Sequence, residues 1–329
     1  FVYCKNATTG DTIWHTRLAG MVYYSPAVAN GRVYVGSYLY LGNNSWAGKV
    51  YCLNMTTGEI LWNFTTGDIV LSSPTIYEDY IYIGSHDGKI YCLSAYTGTE
   101  HWNFITDGVI YSSPAIYENK VYFGSYDHNM YCVDSETGSL IWNYTTNGRI
   151  KSSPAVKNNR VYIATCDYFG KLYCFDAENG YLVWSSTDND PHISIYLFFE
   201  SSPAIVDDKV YIGASWSGPT YAGYVYCFNV NNGNIIWKYQ TGHDVYSSPA
   251  VASNKIYIGS RDSKIYCLNA TNGELLWDYY TGDGWITSSP AIANGYLYIV
   301  DEYGIVSVSY THLRAHETSL HLVCRLLLE

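Results

Sequence analysis

Four short apolar runs, separated by turn residues, recur along the chain. Within residues 112–144 the runs are Ala-Ile at 115–116, Val-Tyr-Phe at 121–123, Met-Tyr-Cys-Val at 130–133 and Leu-Ile-Trp at 140–142. Val, Ile, Tyr, Phe and Trp favour strands, and Gly, Asn and Asp favour the turns between them. The apolar residues do not follow the three- to four-residue spacing of a helix. The pattern therefore predicts four β-strands per unit, which we name A to D in chain order.

The spacing of Trp, Cys and Pro shows that this unit repeats. Seven Trp residues lie 40 to 53 residues apart, and a Cys precedes each of them by ten residues. A Ser-Pro step marks the start of strand A at Pro26, Pro74, Pro114, Pro154, Pro203, Pro249 and Pro290. A period of about 40 residues with four strands per unit is typical of β-propeller blades. We therefore predict an all-β fold, a seven-bladed β-propeller of four-stranded antiparallel blades.

The two ends of the regular chain each hold part of a unit. Strands C and D are expected at residues 2–5 and 12–16, and strands A and B at 288–292 and 296–300. We therefore predict a single propeller over residues 1–309 whose first blade is shared between the termini, which would protect its edges. Residues 305–309 repeat strand C, so an eight-bladed parent truncated at both ends remains an alternative. Because Phe1 begins in mid-pattern, we expect the natural N-terminus and any signal peptide to precede it.

The tail at residues 310–329 does not follow the repeat. It contains His312, His316 and His321, lacks Gly and Trp, and places Leu320, Val323 and Leu327 on one face of a possible helix. His312 and His316 have a spacing that suits a metal, but no third ligand is evident. We interpret the tail as a non-propeller segment, of the kind translated from vector or adapter sequence, and exclude it from functional argument.

The repeat unit resembles the PQQ-like (pyrroloquinoline-quinone-like) β-propeller repeat. The resemblance rests on the stretch Cys-Leu-Asn-Ala-Thr-Asn-Gly-Glu-Leu-Leu-Trp at 267–277 and on its counterparts along residues 1–309. These counterparts carry Thr57-Gly58, Thr97-Gly98, Thr137-Gly138, Asn179-Gly180 and Asn232-Gly233 before the Trp. The resemblance implies that the Trp seals one blade against the next. The chain is similar to the propeller of an outer-membrane assembly lipoprotein and, distantly, to quinoprotein alcohol dehydrogenases.

Charge and composition narrow the range of partners. The net charge is −11 and only 14% of residues are charged, which argues against nucleic acid and against an anionic membrane surface. No apolar run reaches the roughly 18 residues of a spanning helix, so we expect no membrane insertion. We expect a monomer.

Cysteines and glycosylation sequons bear on the compartment. Seven of the nine Cys share one position of strand C, where the resemblance implies Ala. Equivalent positions of packed sheets lie too far apart for disulfides, so we predict buried thiols there. Sequons at Asn6, Asn43, Asn54, Asn63, Asn143 and Asn269, together with the resemblance, favour an extracytoplasmic glycoprotein that is periplasmic, secreted or cell-surface.

All length variation falls in the connections that leave one face of an up-and-down blade. The A–B and C–D turns keep their length, whereas residues 38–48, 186–200 and 215–224 are long B–C or D–A loops. Function on repeat scaffolds concentrates where loops depart from the template, although loop drift without function is the alternative. The candidate partner-binding face comprises Tyr38, Tyr40, Trp46, His192, Tyr196, Phe198, Phe199, Trp216 and Tyr221.

A second candidate site lies three residues before each strand-A proline, at the mouth of the predicted channel. The chemistry there changes from blade to blade, and we expect Lys151 and Glu200 to pair. An alternative is a solvated rim without a ligand. The channel-mouth residues are Tyr23, Leu71, Tyr111, Lys151, Glu200, Tyr246 and Thr287.

These features predict a non-enzymatic scaffold that binds a protein or glycan partner through the face with the insertions. The alternative is a quinoprotein dehydrogenase-like enzyme that binds PQQ and calcium at the channel mouth. The resemblance implies that such enzymes use a disulfide between adjacent cysteines, and this sequence has no adjacent Cys pair, so we expect no cofactor. We also expect no catalytic or metal residues. Asp87, Asp127, Asp167 and Asp262 recur in short B–C turns, where Asp is ordinary turn chemistry rather than a metal array.

Overall fold

The computed structural model describes residues 1–6, 9–42, 45–167, 169–186, 197–218, 222–282, 284–293, 295–302 and 306–310. Within these ranges all regular elements are β-strands, and the pairs between them are antiparallel. No helix in the described ranges is long and apolar enough to cross a bilayer. The described residues form two compact units, unit 1 within Phe1–Tyr144 and unit 2 within Thr145–Val323.

Unit 1 contains four sheets, in each of which neighbouring strands are consecutive in the chain. The first sheet has two strands and the others have four. The strands of successive sheets are β1 (Val2–Lys5) and β2 (Thr12–Thr16); β3 (Ala27–Ala29), β4 (Arg32–Gly42), β5 (Ser45–Asn54) and β6 (Ile60–Thr66); β7 (Thr75–Tyr77), β8 (Tyr80–Gly84), β9 (Lys89–Ser94) and β10 (Glu100–Ile105); β11 (Ala115–Tyr117), β12 (Lys120–Gly124), β13 (Asn129–Asp134) and β14 (Leu140–Thr145).

Unit 2 also contains four sheets among its described residues, of four, five, four and three strands. In the five-stranded sheet, β19 and β20 both pair with β21. The strands are β15 (Ala155–Lys157), β16 (Arg160–Ala164), β17 (Leu172–Asp176) and β18 (Leu182–Ser185); β19 (Leu197–Phe198), β20 (Ala204–Val206), β21 (Lys209–Trp216), β22 (Ala222–Asn229) and β23 (Ile235–Thr241); β24 (Ala250–Ala252), β25 (Lys255–Gly259), β26 (Lys264–Asn269) and β27 (Leu275–Tyr280); β28 (Ala291–Ala293), β29 (Tyr296–Val300) and β30 (Val306–Tyr310).

The predicted all-β architecture of four-stranded antiparallel blades is confirmed. The surplus strand C is also formed, as β30, which pairs with β29 from Tyr296↔Tyr310 to Val300↔Val306. This pairing fills the edge of β29 that a blade shared between the termini would offer to another strand. The number of blades, seven or eight, and the single domain over residues 1–309 stay predictions. The tail at 311–329 lies outside the described residues.

A row of Tyr, Cys and Trp crosses strands B, C and D of each regular blade. In β8–β10, Tyr82 lies opposite Cys92, and Cys92 lies opposite Trp102. All three side chains are buried. Because side chains opposite one another in a ladder project to the same side of a sheet, the row is a single layer of the core.

Five of the Trp rings also contact the following blade of the same unit, namely Trp14, Trp62, Trp102, Trp184 and Trp237. The indole Nε1–H of Trp62 and the hydroxyl of Tyr34 donate to one carbonyl, that of Ala95, at 3.1 and 3.2 Å. The Trp62 ring lies against Gly98 so closely that a Cβ there would overlap it. The same contacts recur in unit 2, where Tyr211 and Trp237 donate to the carbonyl of Ala270 and the ring covers Gly273. The Thr-Gly or Asn-Gly motif and the Trp therefore form one contact, split between neighbouring blades.

The Ser-Ser-Pro segment supplies a second connection between blades. The hydroxyl of Ser113 accepts a hydrogen bond from the backbone N–H of Ser73 at 2.9 Å, and Ser202 accepts one from Ser153 at the same distance. The Ser one position earlier clamps its own blade, since Ser72 Oγ bonds both the carbonyl and the N–H of Gly84. Buried backbone groups that have no partner in the ladder are satisfied in this way.

The cysteines behave as buried hydrophobic residues. The eight described cysteines are thiols rather than disulfides, and those of strand C from Cys52 to Cys267 are fully buried. Burial raises the pKa of the Cys174 thiol to about 12 and that of Cys267 to about 11. Burial is thus confirmed for six of the seven predicted thiols, whereas Cys4 is half-buried and Cys324 lies outside the described residues.

We expect Gly98→Ala to destabilise the protein by about 1–3 kcal/mol more than Gly31→Ala, because the new methyl group overlaps Trp62. Both glycines have a left-handed backbone, with φ of +72° and +73°, but a Cβ at Gly31 would meet nothing within 4 Å. The control variant therefore carries the backbone strain without the overlap. Urea unfolding of the two variants measures the difference, and equal losses would contradict the sealing role of the Trp–Gly contact.

We expect the free energy of unfolding to fall as the pH rises above about 9. A buried thiol keeps its proton in the folded state, whereas in the unfolded chain it loses the proton near pH 8.5, so alkaline pH favours unfolding up to the folded-state pKa. Replacing Cys174 by Ala should reduce this slope by about 1.4 kcal/mol per pH unit between pH 9 and 11. Urea unfolding at several pH values tests this. An unchanged slope in Cys174→Ala would contradict the contribution of its buried thiol.

Candidate functional site

Two of the strand B–strand C pairs are longer than their equivalents. β4 and β5 have 11 and 10 residues and β21 and β22 have 8 each, against five or six elsewhere. The ladder of β4 and β5 continues through Tyr38↔Gly48 and Tyr40↔Trp46. The prediction that these insertions are loops is therefore wrong for the described residues. Tyr and Trp favour strands, and their alternation lets the ladder of the blade continue into the insertion.

The first of these hairpins carries an exposed apolar surface. We name it the hairpin cluster: Met21, Tyr23, Tyr38, Tyr40, Leu41 and Trp46. The Trp46 ring packs against those of Tyr40 and Tyr38, with centroids 4.6 and 5.7 Å apart, and Tyr38 also packs against Tyr23 at 5.5 Å. Apart from Tyr38, which is half-buried, the members expose 43–69% of their surface. Most of this apolar surface therefore faces solvent although the rings contact one another.

The hairpin cluster is held in place by backbone pairing as well as by ring contacts. Met21 and Tyr38 exchange two backbone hydrogen bonds, of 2.8 and 3.0 Å, and the Tyr38 hydroxyl donates to Met21 Sδ at 3.3 Å. Gly20 has a φ of +90°, and a Cβ there would overlap the Tyr38 carbonyl. The segment before strand A is thereby fixed to the extended β4, which presents the cluster on a rigid support.

The second long hairpin, in unit 2, turns its aromatic residues inward. β19 pairs with β21 through Leu197↔Trp216 and Phe198↔Ser215. Phe199 is completely buried against Tyr226 and Phe228, while Phe198 and Trp216 are half-buried. Of the candidate face in this unit, His192, Tyr196 and Tyr221 lie outside the described residues. The exposed aromatic surface that the structure describes on the candidate face is therefore the hairpin cluster.

The predicted channel-mouth residues of unit 1 contact a second set of equivalent positions, four residues after the strand-B Tyr, which sequence reasoning missed. Tyr111 lies 4.2 Å from His86 and 4.6 Å from Tyr126, measured between ring centroids. His86 and Tyr126 each follow the strand-B Tyr by four residues, as Tyr38 does in its own blade. The spacing was therefore visible in the sequence. Burial lowers the pKa of His86, so this surface is largely uncharged and aromatic. Leu71 is half-buried.

In unit 2 several residues at these two sets of positions are charged. Lys151 Nζ pairs with Glu200 Oε2 at 2.6 Å, which confirms the predicted ion pair, and lies 5.8 Å from the ring centre of Tyr246. Arg261 stacks on Trp285 at 3.8 Å and on Tyr246 at 5.2 Å. Thr287 is exposed.

Arg261 also contacts a carboxylate in this network. Its Nη1 lies 3.3 Å from Asp244 Oδ2 and 3.3 Å from the Tyr246 hydroxyl. Arg261 and Glu302 lie four positions after the strand-B Tyr of their blades. Sequence reasoning missed both of them. The charges that the structure shows here are largely paired with one another.

Carboxylates and cysteines are the groups that bear on the quinone and calcium alternative. Glu200, the carboxylate placed to act as a ligand, is already neutralised by Lys151. No group of three or more His, Cys, Asp or Glu residues that could hold a metal ion occurs among the described residues. Adjacent cysteines, the platform that the resemblance implies, are absent from the sequence.

The recurring Asp residues of the short B–C turns are engaged in the fold. Asp87 Oδ2 accepts hydrogen bonds from the Gly67 N–H at 2.7 Å and from the Tyr91 hydroxyl at 2.6 Å, and its Oδ1 accepts one from the Lys89 N–H. Asp127 and Asp262 make the equivalent bonds, and Asp167 accepts from Arg149. These carboxylates fasten the turn to the preceding D–A connection, as expected for turn residues.

Comparison with solved structures places the fold among PQQ-like propellers. BamB from Moraxella catarrhalis is 22% identical, with 93% of this chain and 88% of that chain covered and a TM-score of 0.73. A europium-containing methanol dehydrogenase is 12% identical, covers 93% of this chain and 78% of its own, and has a TM-score of 0.70. The computationally designed protein Ika8 is 15% identical, with 89% and 98% covered and a TM-score of 0.54. At these identities the likeness is one of fold.

Sequence comparison identifies the family. No curated protein matches the chain. The sequence profile of the family described as outer membrane protein assembly factor BamB matches residues 46–130, 105–241 and 221–316. These matches span most of the repeat region and bear out the PQQ-like resemblance. The chain therefore belongs to the family of the outer membrane protein assembly factor BamB, a family of PQQ-like β-propellers.

Proposed function

We propose that the chain is a non-enzymatic, extracytoplasmic scaffold that binds a partner protein through the hairpin cluster. The observation that carries the proposal is the exposed set of Met21, Tyr23, Tyr40, Leu41 and Trp46 on an extended, backbone-fixed hairpin. The family is described as an outer membrane protein assembly factor, and this description supports a protein partner and a location outside the cytoplasm. The sequons are consistent with the same compartment.

The composition of the hairpin cluster favours a protein partner over a glycan. No member of the cluster is charged, and Met, Tyr and Trp are among the residues enriched at the buried centre of protein interfaces. Contiguous exposed apolar surface on a soluble domain is typical of interaction sites. A sugar site would also need carboxylate or amide groups beside the rings, and the described members of the cluster carry none.

The polar groups that a quinone enzyme would use are engaged in contacts within the fold, which supports a non-enzymatic role. Glu200 is paired with Lys151, and the Asp side chains of the short B–C turns accept hydrogen bonds from the backbone and from Tyr hydroxyls. The resemblance to the methanol dehydrogenase is one of fold. A scaffold needs no such groups to be available, and a rigid sheet is sufficient for it.

We expect the double variant Tyr40→Ser with Trp46→Ser to lose partner binding without loss of folding. Removing two aromatic anchors from the centre of an interface should weaken binding at least about tenfold. Affinity capture from a cell-envelope extract, followed by titration of the identified partner, measures the effect. Tyr181→Ser is the matched control, because Tyr181 is a Tyr at a C–D turn with 75% exposure. Equal capture by the wild type and both variants, or capture of a glycan alone, would overturn the proposal.

We expect titration with PQQ and Ca²⁺ to give no saturable change in absorbance and no rise in the unfolding temperature. The reason is the Lys151–Glu200 pair, which would have to separate before Glu200 could bind a cation. Glu200→Ala serves as the control. Saturable binding to the wild type that is lost in this variant would establish the quinoprotein alternative instead.

A further inference from the structure

A groove in unit 1 lies at the end of the β7–β10 sheet where the A–B and C–D turns meet. Its volume is about 330 Å³, and its lining includes Asp79, Tyr80, Ser94, Tyr96, Glu100 and His101. The hairpin cluster belongs to the neighbouring sheet and to the other type of connection, B–C, which leaves the opposite ends of the strands. The groove is therefore separate from the site of the proposed function.

Several residues that line this groove differ from the residues at the same positions of the other blades. Glu100 and His101 directly precede Trp102, and five of the other six repeats have two aliphatic residues at these positions. The aliphatic pairs are Ile60-Leu61, Leu140-Ile141, Leu182-Val183, Ile235-Ile236 and Leu275-Leu276. Tyr80 replaces a Lys or Arg that five repeats carry at the start of strand B, and Tyr96 stands where other repeats have Thr, Glu or Asn. All four residues that differ from their equivalents in most other blades line the same groove.

The aromatic rings of the groove are held in fixed positions. Tyr80 and His101 stack with ring centroids 4.8 Å apart and an interplanar angle of 29°. Arg32 lies 5.1 Å from the ring centre of Tyr96 on the neighbouring blade. Asn103 Nδ2 donates to Glu100 Oε1 at 2.6 Å. Rings and carboxylates are thus oriented before any ligand arrives, which lowers the entropic cost of binding.

The chemistry of the lining separates three classes of small ligand. The lining holds the carboxylates of Asp79 and Glu100 and no Lys or Arg, and the nearby Arg32 is already stacked on Tyr96, so a phosphate or carboxylate ligand would meet mainly like charge. Asp79 and Glu100 are exposed, so an ion pair with an ammonium group would be screened by water and contribute little. A neutral sugar ring uses all of the groups present. Its C–H face can stack on Tyr80 and Tyr96, and its hydroxyls can donate to the carboxylates and bond with Ser94.

We propose that this groove binds a neutral carbohydrate, with Tyr80 and Tyr96 as stacking surfaces and Asp79 and Glu100 as hydrogen-bond acceptors. The site lies away from the hairpin cluster, so the full chain can hold a glycan while the cluster remains free for a protein. This proposal does not depend on the proposed function, since it rests on different residues.

The test is titration of the full chain with neutral hexasaccharides of glucose, mannose, xylose and N-acetylglucosamine up to about 10 mM, followed by saturation-transfer NMR and calorimetry. We expect at least one of them to bind with a Kd in the millimolar range or below. The variant Glu100→Leu with His101→Ile restores the residues that other blades carry, so it should fold normally and bind at least about tenfold more weakly. Tyr96→Ala should weaken binding by a similar factor.

Controls distinguish the groove from non-specific binding. The variant Leu140→Glu with Ile141→His places the same pair on another blade and should leave affinity unchanged. The proposal is overturned if no hexasaccharide in the panel binds, or if the restored variant binds as tightly as the wild type. Binding of tetramethylammonium or oligolysine in place of the sugars, lost in the restored variant, would also overturn it by assigning the groove to cations.

Discussion

The contact between a Trp ring and the Gly of the following repeat organises this protein. The indole covers a glycine with positive φ, and its N–H shares one carbonyl acceptor with the Tyr of strand B. Each partner constrains the other. Any side chain at the Gly would displace the ring, and a smaller residue at the Trp would leave a cavity. Because the two halves belong to different blades, the contact makes folding of one blade depend on its neighbour.

That dependence explains where the chain is free to vary. The C–D turn contains the Gly that meets the Trp, so its length and conformation are constrained wherever this contact forms, as at Gly58, Gly98, Gly138, Gly233 and Gly273. The B–C connection carries no such contact, and the β4–β5 ladder can lengthen into a hairpin that exposes Tyr40 and Trp46. Side chains at the turn end can still change where they point away from the Trp–Gly contact. The Tyr80, Glu100 and His101 substitutions occur at such positions, on the backbone that the other blades share.

Sequence reasoning predicted the strands and the ion pair but missed residues of both the hairpin cluster and the channel mouth. The regular Trp, Cys and Pro spacings specify strand order and register, and Lys151 with Glu200 followed from their places in adjacent repeats. Length alone predicts loops at the insertions, whereas the alternation of Tyr38 and Tyr40 continues the ladder of β4 and β5. His86, Tyr126 and Arg261 were missed although their spacing is regular. Their role depends on which strand end lies beside the segment before strand A, and a single repeat does not reveal this.

The repeat, the strand pattern, the buried thiols and the identity of the sealing residues all follow from local spacing and residue type. Which aromatic residues are exposed depends on tertiary contacts. Phe199 and Trp46 both lie in inserted segments of similar composition, yet Phe199 is buried on Tyr226 and Phe228, while Trp46 lies open beside Tyr40. The difference arises from β19, which pairs with β21 and directs Phe199 into the core. Exposure is a property of the neighbours that a side chain meets, and those neighbours are distant in the chain.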